Sequence, residues 1–150
     1  MDENPHVPLN PFECSDILFR ALPVHFLVKK DGTHHPKVFI RLETQDPAGL
    51  SLFTTIRGCK DNPDFQRPIF GVRSVHVGRL RDNGFELFRT SDTHANIRYR
   101  DGTNLPLRSE DESMAKNMAD VLMELSRLIS YWNDDQADER FIAELAAKQV

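Results

Sequence analysis

Only two cysteines, Cys14 and Cys59, occur in the chain. They are too few for a disulfide framework and lack CxxC spacing, so the expectation is two free thiols, at least one of them buried. No apolar run approaches the roughly 18 residues that would suggest a membrane span. The opening MDENPHVPLNPFE is acidic and proline-rich, the wrong chemistry for a secretory leader, and the expected location is the cytoplasm. There is no P-loop and no GxGxxG, and Ser51 and Ser91 sit in no nucleophile motif. No His/Cys/Asp spacing suggests zinc, because the adjacent His34 and His35 cannot easily face one ion. No metal site is expected and no cofactor is named. Net charge is −4, and no helical pattern presents a basic face, which argues against sequence-specific DNA binding.

A chain of 150 residues fits one domain that buries roughly two-thirds of its surface on folding. With 39% hydrophobic and 28% charged residues, the composition is that of an ordinary globular protein. Arginines concentrate in residues 57 to 108, and acids in 109 to 139. That asymmetry fits either an anionic ligand at the middle or two halves that pack against each other.

Residues 1–13 read as an extended N-terminal segment. Strands are expected at Asp16 to Leu22, Lys37 to Glu43 and Leu50 to Ile56, with a second apolar piece at Val24 to Lys30 and a loop from Gly58 to Pro68. In the central stretch from Gly71 to Tyr99, Val75 and Val77 alternate with Ser74, His76 and Gly78. Asn83-Gly84 then offers a strong hairpin signal. A hairpin would set Arg81 against Glu86 and Leu80 against Leu87; a single helical turn over Arg79 to Asn83 is the competing reading. A last strand runs from Ala95 to Arg100. Ser109-Glu110-Asp111-Glu112 matches a capping box, and apolar residues then recur at helical spacing from Met114 through Leu128, Ile129 and Trp132. A polar break, Asn133 to Asp138, precedes a short helix bearing Phe141, Ile142 and Leu145. The expected fold is α+β: a mainly antiparallel sheet with a long C-terminal amphipathic helix packed on it and a short terminal helix. Residues 14–132 would form the domain, and 133–150 an acidic linker and the terminal helix.

Four segments occur in a recognisable order: Leu18-Phe19-Arg20-Ala21-Leu22-Pro23, Gly49-Leu50-Ser51-Leu52-Phe53, Ser74 to Asp82 and His94-Ala95-Asn96-Ile97. A helix like Ala119 to Ile129 closes the series. Over about residues 16 to 130 the chain resembles a widespread family of small, mostly uncharacterised bacterial proteins. Members of that family carry a Ser-Ser-Ala-Ala-Phe-like segment where this chain has His35-Pro36-Lys37-Val38-Phe39. The resemblance implies the fold and the choice of motifs, and it names no reaction.

The candidate site consists of Arg20, His76, Arg79, Arg81, His94 and Asn96. Strand arginines favour planar anionic partners, and two histidines can act as general base and general acid. The Leu-Phe-Arg opening also looks like the dinucleotide-clamping arginine of ADP-ribosyltransferase-like folds. The expected activity is that of a small intracellular bacterial protein, a toxin-like transferase or ribonuclease. In that reading Arg20, Arg79, Arg81 and Asn96 hold a phosphate-bearing ligand (a nucleotide, NAD or RNA), and His76 and His94 move protons. The alternative is a non-catalytic module that engages a protein partner through its C-terminal helix. On that alternative, deleting residues 134 to 150 would abolish partner binding and leave the fold intact.

Overall fold

The computed structural model describes residues 12–22, 39, 49–61 and 69–148. Most of the N-terminal segment, the apolar piece Val24 to Lys30, the expected strand Lys37 to Glu43 apart from Phe39, and the second half of the expected loop lie outside the described residues. Six strands form one sheet: β1 (Ile17–Leu22), β2 (Leu50–Phe53), β3 (Gly71–His76), β4 (Phe85–Ser91), β5 (His94–Tyr99) and β6 (Ser126–Leu128). Their order is β4-β5-β2-β1-β3-β6, and every neighbouring pair is antiparallel. Helices α1 (Ile56–Lys60), α2 (Val77–Asp82), α3 (Glu112–Leu125) and α4 (Ala137–Lys148) complete an α+β fold. No helix among the described residues is long and apolar enough to cross a membrane.

Period-two alternation divides the sheet between two cores. Leu18 and Leu22 of β1 point to one face, with Leu52, Val75, Ile97 and Leu122 of α3. Phe19 and Ala21 point to the other, with Phe53, Ile56, Cys59, Val72 and Ala137. Phe141 of α4 meets Phe19 edge to face, ring centroids 5.0 Å apart.

Several sequence expectations are corrected by tertiary structure. The helical turn, not the hairpin, follows β3: Val77 N donates to Asp16 O and Gly78 N to Cys14 O, so the chain just before β1 satisfies the first amides of α2. Arg81 still meets Glu86, at 3.0 Å. Residues 56–60 are helical where a strand end and a loop were expected. Asp111, not Ser109, caps α3, accepting from Met114 N, while the Glu110 carboxylate accepts from Leu107 N in the preceding turn. Met114 is exposed. The long helix stops at Leu125, and residues 126–128 pair with β3 as β6.

The terminal helix is tied to α1. The Asp138 carboxylate accepts from Ile56 N at 2.7 Å and Arg57 N at 2.9 Å, while Thr55 Oγ1 accepts from Gly58 N. Three of the four amides that a helix start leaves unpaired are thereby satisfied. Arg57 and Lys60 also donate to the carbonyls of Asp135 and Asp134. Asp138→Ala should therefore cost about 2 kcal/mol, the value of a charged acceptor shared by two amides. Urea unfolding would read this as a lower midpoint at unchanged slope, and an unchanged midpoint would mean that water replaces the cap.

Candidate functional site

The register separates the two histidines. His94, Phe53, Phe19 and Ser74 lie opposite one another across β5, β2, β1 and β3. Three interstrand spacings and two residues along β3 then place His76 roughly 16 Å from His94, taking about 4.8 Å per strand. They cannot serve one reacting bond as acid and base. On β5, His94 Nδ1 is 2.6 Å from Thr90 Oγ1, and its ring meets Phe53 edge to face.

Arg20 alternates with Leu18 and Leu22, so it points into the core beneath α3 and is 2% exposed. Its guanidinium donates to Ser51 O, and its neighbour across the strands is Arg73, also buried, which donates to Ser126 Oγ. Burial lowers the pKa of Arg73. Asn96 is buried on the opposite face, where a Cβ added at Gly49 would lie 2.9 Å from its own Cβ. Arg81 is held internally by Glu86, by Phe12 O at 2.7 Å and by Cys14 Sγ at 3.3 Å. The hydrogen bond that Arg81 donates to Cys14 Sγ is the largest influence raising its pKa, ahead of Glu86. His94 and Asn96 thus lie two residues apart on one face of β5, whereas Arg20 points to the opposite face and Arg81 sits on α2, and none of the four reaches His76.

His76 and Arg79 do come together. Where β3 ends and β6 begins, a cleft of about 230 Å³ opens between α2, α3 and α4. Its polar lining is Ser74 and His76 of β3, Arg79 of α2, Arg127 of β6 and Lys148 of α4. Its apolar lining is Ile17, Leu125, Phe141 and Leu145. Ser74 and Arg127 are direct cross-strand partners, which puts both on the side of the sheet that α4 covers.

The cations of this cleft differ from the others. Elsewhere Arg108 and Lys116 pair with Glu112, and Arg140 pairs with Asp134 and Glu144. Arg89 donates to two carbonyls and lies over the Phe12 ring, and Arg98 and Arg100 donate to carbonyls. Among the described residues, Arg79, Arg127 and Lys148 are the arginine and lysine side chains with neither an ion pair nor a hydrogen bond, and all three line one cleft.

His76 is held by its surroundings. A Cβ added at Gly78 would lie 2.9 Å from Cys14 O and 3.2 Å from the imidazole, so only glycine lets the ring lie against α2 at this point. Among the described residues Nδ1 is buried without a hydrogen-bond partner. His76 as a whole lines the cleft.

Other sites offer less. A hollow of about 170 Å³ is lined by Phe12, Asp16, Thr54 and Arg89, but Asp16 already accepts from Glu13 N and Arg89 is satisfied as described. Cys59 is buried, its thiol is pushed well up by desolvation and then by Asp138, and it donates to Phe19 O. Cys14 is exposed. No group of three or more His, Cys, Asp and Glu among the described residues could hold a metal ion.

Sequence reasoning missed Ser74, Arg127 and Lys148. No local signal marks Arg127 as a strand residue, because β6 exists only by pairing with β3. Compared with known protein families, curated proteins and solved structures, the chain matches none.

Proposed function

We propose that the protein binds a phosphate-bearing ligand in the cleft between α2, β6 and α4. The observation behind this reading is the convergence of Arg79, Arg127 and Lys148, cations without ion pairs, in a chain of net charge −4. Like charges gathered without counter-charges repel, and a bound anion relieves the repulsion. The His76 ring and the Ser74 hydroxyl can add donors suited to phosphate oxygens. With one histidine in the cleft, the geometry favours binding over two-histidine acid–base turnover.

Arg79 and Arg127 are both exposed, so Arg79→Ala/Arg127→Ala should fold normally. Against a panel of pyrophosphate, nucleotides, NAD and short RNAs, a ligand at 100 times its dissociation constant should stabilise the wild type by about 2.7 kcal/mol. The double variant should bind at least about 100-fold more weakly, each charge-assisted contact being worth about 1.5–3 kcal/mol. His94→Ala should bind as the wild type does. The reverse pattern, with loss in His94→Ala and none in the double variant, would remove the cleft from consideration.

A second reading, a protein partner docked on α4, has one observation behind it: Ile142 is 65% exposed on that helix.

A further inference from the structure

We infer that the ligand of this cleft is a small amphipathic phosphomonoester, a single anionic head on an apolar body, and not a nucleotide. This rests on the reading of the cleft as an anion site and specifies the rest of the ligand. The lining side chains fall into two chemical groups. Arg79, Arg127 and Lys148 are cationic donors; Ile17, Leu125, Phe141 and Leu145 are apolar. Among the described residues the cleft has no carboxylate or carboxamide side chain, and its side-chain acceptors are limited to the Ser74 hydroxyl and a ring nitrogen of neutral His76.

A nucleotide carries ribose hydroxyls and base amino groups that need acceptors once they leave water. Left unpaired, such groups weaken binding strongly. An apolar body makes no such demand and gains from each contact with the wall that Phe141 and Leu145 provide. Size points the same way. About 230 Å³ falls below the roughly 300 Å³ at which pockets for drug-sized ligands begin, so a dinucleotide does not fit. Charge agrees as well, because three cations match the double charge of a monoester better than the single charge of a diester.

The test is calorimetric titration of the full chain with inorganic phosphate, hexyl phosphate, AMP and NAD. Each methylene taken out of water adds about fourfold to affinity. Three buried methylenes therefore predict that hexyl phosphate binds roughly 50-fold more tightly than inorganic phosphate. AMP and NAD should bind no more tightly than inorganic phosphate. Leu145→Asn should lower the hexyl-to-inorganic ratio several-fold, and Lys148→Ala should weaken both probes together. Cosedimentation with phosphatidic acid vesicles would assign the head group to a lipid, and hexyl phosphate binding without it to a soluble ester; the amphipathic class stands in either case. If AMP binds more tightly than hexyl phosphate, or if hexyl phosphate only equals an inorganic phosphate whose binding needs Arg79 and Arg127, the inference falls and the anion site stands. Failure of every probe to bind would overturn both.

Discussion

Phe19→Ala is expected to destabilise the protein by about 3–5 kcal/mol, the range for emptying a buried aromatic site. Phe19 lies on β1, between β2 and β3 in the middle of the sheet, and is 3% exposed. Its ring packs with Ala21, Phe53, Ile56, Cys59 and Val72 and receives Phe141 edge to face. The aromatic pair adds about 0.5–1.5 kcal/mol beyond area burial. In a chain of this size each kcal/mol lowers the melting temperature by about 2–4 °C, so a fall of roughly 10 °C or more should be seen. The loss should also be uneven. Amide exchange along α4 should accelerate more than along α3, because α3 packs on the opposite face, around Leu122. A loss below about 1.5 kcal/mol would mean that α4 collapses into the vacated space.

That division into two cores explains where the sequence could be read and where it misled. Leu18, Leu22 and Leu52 against Phe19, Ala21 and Phe53 are visible as period-two patterns, so strands β1 and β2 and the α+β class were legible. The apolar spacing from Met114 to Trp132 also looked like one helix. In the structure that stripe serves both cores: Leu122 packs on one face and Ile129 on the other, with Trp132 beside it. The chain crosses from face to face at the sheet edge, and β6 is the crossing. Ser126 marks it. It adopts extended geometry, donates to Met123 O, and accepts from the Nε of Arg73, a residue 53 positions earlier. Helix propensity does not encode that partner, and the pairing with β3 overrides the periodicity.

The candidate site was legible to the same limited depth. Arg79 and His76 lie three residues apart, and a helix start after β3 brings them to the same cleft. Arg20 and His94 share their motifs with core residues, and strand order alone decides that they lie elsewhere. Local sequence does not contain strand order. Nor does it contain the docking of α4, which carries Lys148 to the cleft.

Removing residues 134 to 150 is expected to unfold most of the protein, contrary to the expectation that the tail can be cut away. The deletion strips Phe141 from Phe19, takes Ala137 from the core and removes the carboxylate that caps α1. Partial burial of Phe141 is worth about 1.5–2 kcal/mol, and the double cap about 2 kcal/mol. The newly exposed Phe19 and Ile56 add to the loss. A total of about 5 kcal/mol equals the lower end of whole-domain stability. Circular dichroism should show a chain largely unfolded at 37 °C, and loss of ligand binding in such a truncation would say nothing about α4 as a docking helix. Ile142→Asp separates the two roles. The side chain faces solvent, so stability should change by less than about 0.5 kcal/mol and anion binding in the cleft should persist, whereas a partner held by the outer face of α4 would be released. A truncated chain with a native melting transition would show that the second core holds without its helix, and the coupling of α4 to α1 through Asp138 would have to be given up.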